Sequence, residues 1–433
     1  MANLTHLRGA VLSFTGVPDI KSGDGFDYRE DAVVTLRAGK IHAVQSYEQY
    51  RADGGSEDDL HDVRPGLISA GFVDTHVHYP QMDIIGSFGR QLMDWLDNYA
   101  FPAELAYADE AFAQRQAQIF IERLLAAGTT TALTFTTVHA HTTDAFLRAA
   151  QAINARMIAG KVLMNRNAPD GLVDEGDGDQ ANRELLLRWH RQDRLAYAIT
   201  PRFAITCTPS QLQKAGDLVS EFPDVYVHSH IAEHPDEIAA TLALFPEAQD
   251  YTDVYAQHGL LTDHAVYAHG IHLSDDELRR FSSHGSAISF CPSSNLFLGS
   301  GLLDLPRLDS FGVNMGIGSD VGGGTHLSLL ATLGDGYKVS QLNGYSWHPL
   351  QAFYSITAGG AKTLHLEDKI GRVAPGYEAD LVVLRPQPGS MLEQRVQRTT
   401  SIAEQLFAHL FLGADHGVEE TYVAGVRQYT RAA

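Results

Sequence analysis

Residues 71–78 read GFVDTHVH, an apolar run that ends on two histidines one residue apart. In an extended strand residues i and i+2 share a face, so His76 and His78 present their imidazoles side by side, an arrangement that suits one metal ion. Downstream, short β-branched or apolar runs recur: TTTALTF, GKVLMN, LAYAIT, VYVHSHIAE, AVYAHG, AISFCPSS and NMGIGSD. Between them lie amphipathic stretches such as DEAFAQRQAQIFIERLLAAG and DELRRFSSHG, each with an apolar face at helical spacing and a glycine at its end. With the opening run, this makes about one βα unit per 30 to 40 residues over roughly 250 residues, the arithmetic of an α/β fold of the (β/α)8, TIM-like barrel type. A doubly wound open sheet also holds eight strands. No G-x-G-x-x-G follows the first run and no Walker pattern occurs, so a nucleotide-cofactor sheet is disfavoured.

Both ends of the chain have a different texture. VVTLRAG and KIHAVQSY alternate around a Gly-Lys turn, and ADLVVLRP and VEETYVAGVRQY follow a Pro-Gly turn, the pattern of short hairpin strands. The expected organisation is a split β-sandwich domain formed by both termini, residues 1–65 and 366–433, around a catalytic barrel over residues 66–365.

A chain of 433 residues exceeds what one compact core usually holds, in keeping with two domains. The net charge of -21, from 32 basic and 53 acidic residues, argues against nucleic acid or an anionic membrane surface as partner and leaves a small neutral or weakly charged molecule. Cys207 and Cys291, the only cysteines, do not make a disulfide framework and read as buried, reduced thiols. The amino terminus, MANLTHLRGAVLSFTGV, lacks a basic start before a long apolar core, and no run reaches the length of a membrane span. A cytoplasmic location is the expectation.

Candidate functional residues fall at the carboxyl ends of the runs, where barrel enzymes carry their chemistry. The first run ends on His76 and His78, the fifth on His228, His230 and Glu233, the sixth on His269 and the eighth on Asp320. Three neutral imidazoles and a carboxylate form a nitrogen and oxygen site for zinc or iron(II), with room for a water whose pKa the metal lowers toward neutrality. Hydrolysis follows from such a site. A chain with 21 histidines also makes His-x-His pairs by chance, here His139/His141 and His228/His230. Of the latter pair only one need bind, and His230 is favoured because Glu233 lies within a turn of it. His228 is assigned to packing or to support of a ligand, and His139 and His141 are not expected to ligate. Asp320 would also suit a cap on the turn GGGTHLS, and His269 a place in the core, but their strand-end positions favour chemistry.

Taken together, DTHVH, HIAE, AHG, GSD and the closing KIGRVAPGYEADLVVL resemble the amidohydrolase superfamily, in its aromatic-ring deaminase and chlorohydrolase branch, over essentially the whole chain. The resemblance implies one divalent metal ion per subunit, zinc or else iron, on His76, His78, His230 and Asp320. It also implies that Glu233 and His269 handle protons and the attacking hydroxide, which Asp320 orients. Binuclear members carry a carboxylated lysine at the end of the fourth strand, where this chain has TPRFAITCTPS and no lysine before Lys214, so a mononuclear site is implied.

Within the branch, HYPQMDIIGSFG, LMDWLDNYAFPAE, GKVLMNRNAPD and TPRFAITCTPS resemble the guanine deaminase family. That likeness implies substrate contacts from Gln81, Arg202 and the backbone of Phe203, with Trp95, Tyr99 and Phe101 as walls for a flat purine. The implied activity is hydrolytic deamination of guanine to xanthine and ammonia, by a homodimer. The alternatives on the same metal site are 8-oxoguanine, isocytosine or cytosine deamination, or dechlorination of a triazine. A barrel kept only as a binding scaffold would be expected to have lost ligands, and none is missing. The zinc deaminases with H-x-E and P-C-x-x-C motifs do not fit, since CPSS lacks the second cysteine.

Overall fold

Parallel strands from the middle of the chain pair in sequence order: Phe72–His78, Thr129–Phe135, Arg156–Gly160, Ala196–Pro201, Tyr226–Ile231, Ala265–His269, Ala287–Phe290 and Asn314–Ile317. The computed structural model describes residues 4–89, 91–174 and 178–432. The segment leaving the eighth strand closes onto the first, where the Asp320 N–H donates to the His76 carbonyl at 2.9 Å and the His78 N–H to the Val321 carbonyl at 3.1 Å. The (β/α)8 barrel expected from the run spacing is present.

The third strand differs in position from its run. GKVLMN contributes only a short continuation, Val162–Leu163, which pairs with the fourth strand, while the main strand is Arg156–Gly160. A charged residue opens that strand and hides it in the sequence; Arg156 Nε donates to Glu378 Oε2 at 2.8 Å.

The barrel floor is apolar. Val73, Leu133, Ile158, Ala198, Val266 and Ala287, each from a different strand, pack with Tyr226 against Ala361, Leu364, Leu366 and Ile370 from the segment beyond the barrel. The Tyr226 hydroxyl donates to the Leu364 carbonyl at 2.6 Å, which satisfies the one polar atom of that side chain. A plugged floor leaves the carboxyl ends of the strands as the place where polar side chains collect.

The helices follow their caps. Glu110–Ala126 starts on Asp109, whose side chain accepts from the Phe112 N–H, and Asp275–His284 starts on a Ser274/Glu277 capping box and ends on Gly285 in the left-handed region.

The termini build one seven-stranded sheet in the order Val426–Thr430, Val418–Val423, Leu381–Leu384, Leu60–Ala70, Thr5–Phe14, Phe26–Arg37 and Lys40–Ser46. Its neighbours run antiparallel except for the pair Thr5–Phe14 and Leu60–Ala70. Two-residue Ala-Gly loops, Ala38-Gly39 and Ala424-Gly425, make both outer hairpins, with positive φ at all four residues as a type I′ turn requires. Strand alternation gives the sheet two uses. Leu381 and Val383 join Leu7, Val34 and Leu36 in a core of the sheet's own, while Val382 and Leu384 join Leu12 and Phe14 in the core shared with the barrel helices. Among the described residues no helix is long and apolar enough to cross a membrane.

Candidate metal and substrate site

The first barrel strand is buried at every position, and its ladder with the second strand shifts register between Asp74 and Val77. Such a bulge re-aims the residues beyond it. The His76 and His78 rings sit edge to face with centroids 4.8 Å apart. Their Nε2 atoms are 3.1 Å apart, His230 Nε2 lies 3.2 Å from His78 Nε2, and Asp320 Oδ1 lies 3.0 Å from His76 Nε2 and 3.2 Å from His78 Nε2. All four donor atoms fall within 4.8 Å of one another.

Asp74 braces this arrangement. Its buried carboxyl accepts from the backbone N–H of His76 and of Ser319, each at 3.1 Å, and from the Ser319 hydroxyl at 2.5 Å, so the first strand and the loop carrying Asp320 are tied together. Gly318 belongs to the same closure, since a Cβ there would meet Ser289 Oγ at 2.6 Å and His76 Cβ at 2.8 Å. Asp320 and His269 both sit in the left-handed backbone region, at φ 49° and 74°, a conformation that costs energy in non-glycine residues and recurs at functional sites.

The donor set fits a divalent ion. Burial holds His78 neutral down to about pH 3 and keeps His230 well below the ordinary imidazole range, so lone pairs rather than protons face one point. The tautomer of His230 is set from behind: its Nδ1 lies 2.6 Å from the Arg202 carbonyl, which can only accept, so Nδ1 carries the proton and Nε2 the lone pair. Burial opposes charge on Asp320, but the His76 and His78 imidazoles outweigh it and hold the carboxyl well below the usual carboxylate range. Cys291 lies near His269 and Asp320, but burial pushes its thiol well up and keeps it protonated. His228 stands below the group with Nε2 at 2.8 Å from His76 Nδ1, a support for a ligand. His139 and His141 stack on each other away from the site, and His141 Nε2 lies 2.8 Å from the Tyr107 carbonyl.

Next to the donor set is a cavity of about 430 Å³, part of it open to solvent, lined by His78, Gln81, Trp95, Arg202, Phe203, His230, Glu233, His269 and Asp320 together with Leu92, Leu96 and Leu298. Of the residues expected at the site from sequence, all but the strand-borne His76 and the ring-wall candidates Tyr99 and Phe101 reach this cavity. Glu233 is buried, and burial, then the Asp320 charge, raises its pKa well above the ordinary carboxyl range, which favours its protonated form. Its Oε1 accepts from the Ser300 hydroxyl at 2.8 Å, and its Oε2 lies 3.4 Å from His269 Nε2. His269 is held below ordinary imidazole values, to about 4, by burial, and its Nδ1 lies 2.8 Å from the Asn295 amide.

Trp95 lines the cavity, and its buried indole N–H has no partner among the described residues. Tyr99 and Phe101, expected as ring walls, sit behind the lining: Tyr99 is half-buried in the adjoining apolar cluster, and the Phe101 ring lies under the Arg202 guanidinium at 5.2 Å. Sequence reasoning did not single out Glu104, Asn295 or Ser300. Glu104 closes the stretch LMDWLDNYAFPAE, where a lone carboxylate after an aromatic run was its only signal.

A plugged (β/α)8 barrel with three convergent imidazoles and a carboxylate at its strand ends defines a metal-dependent barrel hydrolase. The chain belongs to the amidohydrolase family, whose pattern matches residues 67–426. It is 43% identical over 431 residues to guanine deaminase of Escherichia coli strain K12, covering 99% of this chain and 98% of that one. The solved structure of E. coli guanine deaminase superposes with a TM-score of 0.94 at 41% identity, each chain covered in full. A guanine deaminase structure from C. acetobutylicum, with guanine bound in its active site, superposes with a TM-score of 0.88 at 26% identity over 99% of this chain and 100% of that one.

Proposed function

We propose that the chain removes the exocyclic amine of guanine by hydrolysis, giving xanthine and ammonia. The observation that carries the reading is the cavity in which buried Arg202 and Gln81 face the same space as the buried Glu233, in a chain alike over its full length to a guanine deaminase. His76, His78, His230 and Asp320 would hold one divalent ion, zinc in our assignment with iron(II) as competitor, whose chemistry when bound is to act as a Lewis acid that brings water to hydroxide near neutral pH.

The remaining steps belong to the chain's own groups. Arg202 donates to an acceptor on the purine, Gln81 and the Phe203 backbone take further edge positions, and Trp95 supplies an apolar wall with one N–H. Glu233 gives its proton to the ring nitrogen beside C2, which makes that carbon electrophilic. Asp320 accepts a proton from the attacking water through the oxygen that faces His269 at 3.7 Å. His269, neutral because it is buried, hydrogen-bonds the oxygen added at C2. Glu233, left as a carboxylate, then takes the proton of the hydroxyl added at C2 and carries it to the departing amine, and the proton held on Asp320 restores Glu233 as ammonia leaves. A homodimer and a cytoplasmic location complete the reading by family likeness.

Ammonia release measured with guanine beside 8-oxoguanine, adenine, isocytosine and cytosine tests the substrate. Guanine should have the highest kcat/KM; a higher value for any other base reassigns the pocket.

A further inference from the structure

Glu104 is fully buried, and it touches both side chains assigned to the substrate. Its Oε1 accepts from Gln81 Nε2 at 2.9 Å and from Arg202 Nη1 at 2.8 Å, and its Oε2 accepts from the same Nη1 at 2.8 Å. Gln81 and Arg202 are themselves only 2% and 3% exposed, so these contacts lie out of reach of solvent screening.

The hydrogen-bond inventory makes the arrangement directional. A carboxylate only accepts, so the Gln81 atom that faces Glu104 is the nitrogen; the Gly322 N–H only donates, so the Gln81 atom that it meets at 3.2 Å is the oxygen. Amide orientation is thereby determined from both ends. The second Nε2 hydrogen faces His78 Nδ1 at 3.4 Å, too long for a strong bond, and the oxygen keeps one lone pair. Arg202 commits Nη1 to Glu104, while its Nε and Nη2 make no hydrogen bond to any other described residue.

We propose that Glu104 is a positioning residue that sets which purine edge the site accepts, by locking the Gln81 amide and the Arg202 guanidinium in one mutual orientation. The pair then presents an acceptor beside two cationic donors, the complement of an edge that carries an N–H next to a carbonyl oxygen or bare ring nitrogen. Without the carboxylate the amide can turn over and the guanidinium can swing. Because the Arg202 carbonyl also orients His230, the same clamp keeps the substrate side in register with the metal side. The inference rests on Gln81 and Arg202 as substrate contacts.

Glu104→Gln, of equal size, keeps one acceptor and puts an N–H against a donor. In the purified, metal-loaded enzyme it should raise KM for guanine at least tenfold and raise the inhibition constant of hypoxanthine, which keeps the oxo edge but has no amine to lose, in parallel. Metal content should stay at the wild-type value and kcat within about threefold. Glu104→Asp keeps the charge beside Arg202 but withdraws it by one methylene; it should raise KM at least fivefold, and it carries the test if Glu104→Gln does not fold. A lowered melting temperature with KM and the hypoxanthine constant within twofold of wild type, in either variant, reduces Glu104 to a packing role and overturns the proposal. Gln81→Ala and Arg202→Ala run beside them. Unchanged KM in those two refutes the substrate contacts themselves, whereas a raised KM in them with no change in the Glu104 variants refutes Glu104 alone.

Discussion

Glu233→Gln isolates proton transfer from everything else at the site. Glutamine has the shape of glutamate and can still accept from the Ser300 hydroxyl, now 2.8 Å from Oε1, so the side chain should stay where it is at little cost in stability. What disappears is the ionisable carboxyl whose protonated form burial and the Asp320 charge favour. Positioned general acid–base catalysis contributes about 10²–10⁴ in rate, or roughly 2.7–5.5 kcal/mol of barrier. Glu233 is assigned two transfers, one to the ring and one to the leaving amine, so the upper end applies and kcat should fall by about 10⁴. The assay is initial-rate xanthine formation at neutral pH, with metal analysis and a melting curve on the same sample. A variant that is folded, carries a full complement of metal and turns over within tenfold of wild type would falsify the role given to Glu233.

Metal removal and pH give two independent checks. Dialysis against a zinc chelator should abolish turnover while the far-ultraviolet circular dichroism is unchanged, and added zinc should restore the rate; full activity in metal-free protein contradicts the ligand assignment. His409, on the helix Ile402–Leu412, is fully buried with no hydrogen-bond partner on either ring nitrogen among the described residues, and burial lowers its pKa from 6.5 to about 4. The unfolded chain takes up this proton below about pH 6.5, whereas the folded protein refuses it until about pH 4, so the stabilising effect of the neutral ring is complete above that window and is lost as pH falls through it. The difference is on the order of 3 kcal/mol across the window. His409→Leu should flatten the fall in melting temperature between those two pH values, and parallel curves for the two proteins would remove His409 from the acid response.

How far the chain can be read without its structure depends on whether the information is local. Apolar runs that end in His76, His78, His230 and His269 are visible because a strand and its catalytic end are adjacent in sequence, and so is the first hairpin, because a turn is local chemistry. The loop of that hairpin is nevertheless Ala38-Gly39 rather than the Gly-Lys step, and the second hairpin, at Ala424-Gly425, lies inside the single stretch VEETYVAGVRQY. The third strand was misplaced because Arg156 interrupts the apolar pattern for the sake of a partner, Glu378, that lies 222 residues away. His228 and His230 project from one strand, and the sequence favours His230 only through the nearby Glu233. In the fold the choice turns on what each ring has behind it: the Arg202 carbonyl leaves His230 Nε2 available, whereas His228 Nε2 is taken by His76 Nδ1. Glu104 was illegible for the same reason. It is one of 53 acidic residues, and its partners are 23 and 98 positions distant, so only the closed barrel distinguishes it from a solvated glutamate.

The central claim is that water, delivered at this site, replaces the C2 amine of guanine. Turnover of guanine in ¹⁸O-enriched water, read by mass spectrometry of the purine product together with the ammonia yield, tests substrate, nucleophile and product at once. The account predicts xanthine carrying a single heavy oxygen and one equivalent of ammonia. Unlabelled xanthine, or no purine product from protein with its full complement of metal, would contradict it.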